Sequence, residues 1–69
     1  MTRKTLTTAR YGLIFDDGSV EVVFAVALIQ ALSYCHVRPI RVTCFEGERA
    51  IAIDDSTLEF CWKRHLEIN

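Results

Sequence analysis

A turn signal in the first third of the chain most constrains how this sequence can fold. Residues 16–19 read Asp-Asp-Gly-Ser, where Gly tolerates a positive φ and Asp hydrogen-bonds its own backbone. Short runs rich in apolar, β-branched and aromatic residues flank this turn, at residues 9–15 before it and 20–25 after it. The pattern predicts a β-hairpin.

The segment after the turn admits two interpretations. Its even positions carry large apolar side chains, at Val20, Val22, Phe24 and Val26. This alternation is typical of a strand with one face fully buried and the other lightly covered. The alternative is a single helix from Ser19 to His36, with Ser19 as its N-cap. Such a helix would be apolar on all sides, with too little protein to cover it, so we predict a strand ending near Val26 and a helix over residues 27–35.

A second hairpin is predicted after Pro39, which cannot continue a helix. Residues 40–45 alternate, and the alternation predicts an inward set, Ile40, Val42 and Cys44, and an outward set, Arg41, Thr43 and Phe45. Glu-Gly-Glu at residues 46–48 forms the turn, with Gly47 at a position that favours a positive φ. Residues 49–53 return as a strand, with Ile51 and Ile53 on one face.

The C-terminal segment carries helical spacing. Ser56 and Glu59 are three residues apart, as in a capping box. One helical stripe follows, made of Leu58, Cys61, Trp62, His65 and Leu66. A strand over residues 57–66 is the alternative, but its alternation fails at Arg64, so we predict a helix.

These elements predict an α+β fold, with a small antiparallel sheet of two hairpins and one or two helices on one face. The chain of 69 residues is expected to be a single domain. Each half is a hairpin followed by a helix, and residues 11–18 align loosely with residues 41–47. Residues 1–8 are cationic and rich in threonine, and we expect a flexible N-terminal arm there.

Cysteine number and hydropathy predict a cytoplasmic protein that does not cross a membrane. The N-terminus lacks the apolar run of a secretory signal. The longest apolar stretch, residues 22–29, is far shorter than the roughly 20 residues that a spanning helix needs. The three cysteines are odd in number and widely spaced, unlike those of a small disulfide-stabilised secreted domain.

Candidate chemical sites are weak, so we expect no cofactor and no enzymatic activity. Cys44, Cys61 and His65 supply zinc ligand types, and a zinc-stabilised adaptor is an alternative, but no Cys-x-x-Cys pair is present. The aspartate pairs at residues 16–17 and 54–55 lie at a turn and a helix start, where Asp is common. A cysteine nucleophile with His36 or His65 lacks a third group to orient the base.

A nucleic-acid-binding accessory protein is a second alternative. Arg3, Lys4, Arg10, Arg38 and Arg41 would contact phosphate. Arginines beside aromatic residues on an open sheet form a base-stacking platform in some RNA-binding folds. The net charge of −1 opposes this interpretation, because phosphate binding relies on a positive surface.

The content of apolar residues favours an interaction protein. At 51% apolar, the chain has more apolar side chains than one small core can cover, and exposed apolar patches mark interfaces. We predict a small regulator or inhibitor that binds another protein, as small proteins of phages and other mobile elements do, and that forms a homodimer. The predicted partner-binding residues are Tyr11, Arg41, Phe45 and Arg49. The predicted dimer interface is Phe24, Val26, Leu28 and Leu32.

Overall fold

The computed structural model describes residues 8–68 and contains two ββα units in succession. The first unit is β1 (Ala9–Ile14), β2 (Val20–Ala25) and α1 (Leu28–Ser33). The second is β3 (Arg41–Glu46), β4 (Arg49–Ala52) and α2 (Asp55–Ile68). The predicted α+β fold is therefore confirmed, and the alternatives of one helix over residues 19–36 and a strand over residues 57–66 are wrong. The N-terminal arm predicted for residues 1–8 lies outside the described residues except for Thr8.

The four strands form one antiparallel sheet in the order β2-β1-β3-β4. The two central strands pair with Tyr11 opposite Cys44, and the hairpins place β2 and β4 at the edges. Gly18 and Gly47 adopt φ values of +87° and +62° in the two hairpin turns, the backbone region that disfavours other residues. Both turns thus lie where the sequence predicted them.

Both helices pack on one face of the sheet and enclose a single core. Helix α1 contacts α2 and β2, while α2 also contacts β3. An ion pair of 3.4 Å between Arg38 Nε and Glu59 Oε2 joins the segment after α1 to α2. The buried apolar residues come from both units and are Tyr11, Leu13, Phe15, Ala25, Ala31, Leu32, Val42, Cys44 and Leu58.

The prediction for which face of β2 is buried was wrong. Val20, Val22 and Phe24 are 61%, 55% and 65% exposed. The register explains this result, because Val23 lies opposite Tyr11 and Ala25 opposite Ala9, and side chains directly opposite each other share a face. Ile40, which we predicted to point inward, is 50% exposed and precedes β3.

The two helices begin in different ways. The Asp54 carboxylate caps α2, accepting hydrogen bonds from the Thr57 amide at 3.1 Å and the Thr57 hydroxyl at 2.7 Å. The predicted capping box of Ser56 and Glu59 is therefore wrong, and the Ser56 hydroxyl instead donates to Asp54. Helix α1 has Ala27 as its N-cap, with no side-chain hydrogen bond. Within residues 8–68, neither helix has the length and hydropathy required to cross a bilayer.

Candidate interaction face

The face of the sheet opposite the helices, here called the open face, consists of three rows of side chains that cross the strands. The strand register defines each row, because residues directly opposite each other point to the same side. The first row is Phe24, Arg10, Phe45 and Ala50; the second is Val22, Gly12, Thr43 and Ala52; the third is Val20, Ile14 and Arg41.

A cation–π contact organises the first row. The guanidinium carbon of Arg10 lies 4.8 Å from the centroid of the Phe45 ring, within the range of a favourable contact. The ring also covers Gly12, since a Cβ atom built there would lie 3.2 Å from Phe45 Cε2. Gly12 therefore leaves the space that the edge of the Phe45 ring occupies. The result is a fixed Arg–Phe pair with Phe24 beside it.

The β2 side of the open face is apolar. Val20, Val22 and Phe24 are all more than half exposed, and Ile14 continues the apolar surface onto β1. Together they expose on the order of 300 Å², judged from the usual surface of such side chains. A patch of that size is comparable to the largest apolar patch on a typical monomer, which is often a functional surface.

Two of the four predicted partner-binding residues lie on the open face, namely Arg41 and Phe45. Tyr11 lies on the opposite side and is 7% exposed. Burial, followed by interaction with Cys44, raises the pKa of its hydroxyl. Arg49 is exposed but lies opposite Glu46, at a register position on the helix side. The outward orientation predicted for Tyr11 and Arg49 was therefore wrong, because their positions in the register face the helices.

The predicted dimer residues are divided among three environments. Phe24 lies on the open face, and Val26, just after β2, is 42% exposed. Leu28 is partly buried against the core. Leu32 is fully buried in α1, so in this conformation it cannot reach another molecule. Of this set, Phe24 and Val26 are therefore the residues exposed to another molecule.

The cysteines and His65 are distributed through the helix side of the sheet. All three thiols are free, with Cys44 buried and Cys35 and Cys61 partly buried. His65 is 8% exposed and packs against Trp62, with 5.1 Å between the ring centroids. Among the described residues, no three His, Cys, Asp or Glu side chains are grouped so that they could hold a metal ion. The structure thus gives the zinc hypothesis no geometric support.

An acidic cleft separates the β1–β2 turn from the end of α1. Its lining includes Asp16, Asp17 and Glu21 on one side and Cys35 and His36 on the other. Asp17 accepts hydrogen bonds from the Ser19 hydroxyl and amide, which lower its pKa. Burial and then the charge of Glu21 raise the pKa of the Cys35 thiol. This environment opposes formation of the thiolate that a cysteine nucleophile requires.

Sequence reasoning identified part of the open face and missed the rest. Arg10, which the nucleic-acid alternative named as a phosphate contact, lies on the open face. Val20 and Val22 were assigned to the buried side, although the core-facing residues of β2 are Val23 and Ala25. Comparison with protein-family models, with curated proteins and with solved structures finds no match for this chain.

Proposed function

We propose that this chain is a small non-enzymatic cytoplasmic protein, a regulator or inhibitor that forms a homodimer and binds another protein through the open face. One observation carries the proposal. The sheet face that lies opposite the two described helices combines exposed apolar side chains with the Arg10–Phe45 contact. Aromatic residues and arginines are enriched at interface hot spots, because they give a large contact area with polar handles. The three free thiols support a reducing compartment.

The composition of the open face favours a protein partner over a nucleic acid. Its rows contain two cations, Arg10 and Arg41, and the apolar surface of β2 lies beside them. The Phe45 ring is covered by Arg10, so that side of the ring is not available for stacking on a base. The net charge of −1 also opposes phosphate binding, which relies on a positive surface.

The test compares two matched pairs of alanine variants. Arg41→Ala and Phe24→Ala alter the open face. Arg49→Ala and Phe60→Ala alter an exposed arginine on the helix side and an α2 phenylalanine that is 64% exposed, nearly the same as Phe24 at 65%. The partner is captured from the native host with tagged wild type, identified by mass spectrometry, purified and titrated with each variant.

We expect the two open-face variants to fold normally by circular dichroism and to weaken binding at least tenfold, while both controls bind as wild type. Loss of binding in the controls alone would place the partner on the helix side and contradict the proposal. A steep fall in affinity between 50 and 200 mM salt, roughly 10³-fold or more, would instead indicate nucleic acid.

A further inference from the structure

Strand β2 has a free hydrogen-bonding edge. Within residues 8–68, β1 is the only strand that pairs with it. The Phe15 amide donates to the Ser19 carbonyl at 2.9 Å, so the backbone groups of residues 15 and 19 face each other, as those of a hydrogen-bonded pair do. Because such pairs alternate along an antiparallel ladder, Glu21, Val23 and Ala25 direct their amides and carbonyls toward β1. The backbone groups of Val20, Val22 and Phe24 therefore point outward.

The free edge has a defined end. Val26 follows the same alternation, but its amide donates to the Gln30 side-chain oxygen at 2.8 Å. That amide is therefore satisfied within the chain. Between Val20 and Phe24, the edge contains no proline and no lysine, and its one charge is Glu21. Proline and lysine are residues by which natural proteins keep an exposed edge strand from pairing with another chain. Strand β2 has neither of them between Val20 and Phe24.

We propose that two copies of this chain pair edge to edge through β2, as antiparallel strands centred on Val22. The pairing rests on the proposed homodimer and specifies its interface, and it does not depend on the protein partner. Val22 would pair with Val22 of the second copy, and Val20 with Phe24 of the second copy. Each hydrogen-bonded pair exchanges two bonds, so three pairs form about six. The four strands of each copy join into one sheet of eight.

Charge and hydrogen bonding select this register over its neighbours. Centred on Val22, the pairing places Glu21 opposite Val23 of the second copy. Shifted to centre on residue 21, it would place two Glu21 side chains directly opposite each other, and opposed like charges destabilise a sheet. Shifted to centre on residue 23, it would require the Val26 amide, which Gln30 already occupies.

Pairing in this register also extends the apolar part of the open face. Val20, Val22 and Phe24 of one copy would lie beside Phe24, Val22 and Val20 of the other, and each is more than half exposed in one copy. Cross-strand contacts between aromatic and β-branched side chains stabilise sheets. A second copy would thus supply hydrogen-bond partners for the free backbone groups of β2 and also apolar neighbours for its exposed side chains.

The first experiment uses two variants, and in each of them one edge-strand residue whose amide points outward is replaced by proline. The Ile53 amide donates to the Val42 carbonyl, so by alternation the Ala50 amide on β4 also points outward. Neither Val22→Pro nor Ala50→Pro removes a hydrogen bond within the chain, and proline is tolerated at such positions of edge strands. Light scattering should give twice 7.9 kDa for wild type and Ala50→Pro, and a single mass for Val22→Pro.

The second experiment tests the register by cross-linking, in a background with Cys35→Ser and Cys61→Ser. Val22→Cys should form an intermolecular disulfide under mild oxidation, since Cα atoms in a hydrogen-bonded pair are about 5.5 Å apart. Val20→Cys is the matched control, because it makes the same change at a similarly exposed valine. Its copies would be offset by four residues, about 13 Å, and should not cross-link.

Each outcome decides the matter. A dimer that persists in folded Val22→Pro, or equal cross-linking at residues 20 and 22, overturns the β2 pairing and leaves the homodimer standing. A monomeric wild type overturns both, whereas binding of the protein partner is measured separately. If Val22→Pro does not fold, the cross-linking experiment decides. Cross-linking at residue 22 but not at residue 20 supports the pairing, and a dimer that does not cross-link at residue 22 overturns it. A mass above one copy only in the presence of another protein would indicate an added peptide strand instead.

Discussion

The two ββα units have the same order of elements but different edges and helices. The edge strand of the first unit, β2, has six residues and shows Val20, Val22 and Phe24 on the open face. The edge strand of the second unit, β4, has four residues and shows only Ala50 and Ala52 there. Short edge strands resist pairing with other chains. The first unit is therefore the one suited to association.

The helices differ in the opposite way, because the second unit has the longer helix and the one with a side-chain cap. Helix α1 has six residues and no side-chain cap, whereas α2 has 14 residues and is capped by Asp54. A short uncapped helix depends on tertiary packing, since isolated helices of that length are unstable in water. The second unit thus has the stronger local helix, whereas α1 depends on its packing in the core.

The largest expected effect tests whether the two units share one core. Leu32 in α1 and Leu58 in α2 are both fully buried. Leu32→Ala or Leu58→Ala should each destabilise the fold by about 2–5 kcal/mol, a large part of the stability of a domain this small. Chemical denaturation followed by circular dichroism should show one shifted transition for both variants. Two separate transitions would mean that the units fold independently. Phe60→Ala, at an exposed position in α2, should change the free energy of unfolding by no more than about 0.5 kcal/mol.

A smaller effect is expected where the two units meet in the sheet. Gly12 on β1 lies opposite Thr43 on β3, and the Phe45 ring covers the glycine. Gly12→Val should destabilise the fold by about 1–3 kcal/mol, because the new side chain must displace Phe45. Combining it with Phe45→Ala should remove most of that cost. An equal penalty in both backgrounds, measured by urea denaturation, would contradict this explanation.

Giving α1 a capping side chain, as α2 has in Asp54, should stabilise the first unit. Ala27 is exposed, has the extended backbone of an N-cap residue and carries no capping side chain. Ala27→Ser should raise the free energy of unfolding by about 1 kcal/mol, because the serine hydroxyl can accept a hydrogen bond from a backbone amide of the first helical turn. Ala27→Val, which cannot accept a hydrogen bond, is the control. No difference between the two variants in thermal unfolding would show that the start of α1 needs no cap.

The smallest expected effect is the pH dependence of the α2 cap. Hydrogen bonds from Ser56 and Thr57 lower the pKa of Asp54 from 3.8 to about 2. Because the folded pKa is the lower one, the cap stabilises the fold above pH 4 and loses this effect as the pH falls from about 4 to 2. The melting temperature of wild type should exceed that of Asp54→Ala at pH 6 and approach it near pH 2. Asp16→Ala, in the first hairpin turn, should show no such convergence.

Turn residues made most of the fold predictable from the sequence. Gly18 and Gly47 define the two hairpins, and their positive φ values are a local property that a single chain segment reveals. The bounds of β2 were predicted in the same way. The element order of the two units was also predicted, but the residue alignment of the halves pairs Leu13, which is buried, with Thr43 on the open face.

The faces of the strands were harder to predict, because both sides of β2 are apolar. In such a strand, the partner strands decide which side meets the helices, and Val23 is inward because Tyr11 is. Tyr11 and Arg49 look like surface residues by type, yet their register places both on the helix side. The outward orientation predicted for two of the four partner-binding residues was therefore wrong for one physical reason, the long-range register.

The brevity of β4 has a consequence for the size of an assembly. A contact through β2 alone is isologous, with the same surface used by both copies, so it closes at two. Growth into a filament would require a second adhesive edge, and β4 offers four residues that begin at Arg49 and lie next to the Glu48 turn. In the proposed pairing, the part of the chain that the structure describes would thus use its longer sheet edge and leave its shorter one unpaired, an arrangement that favours a pair over an open-ended fibre.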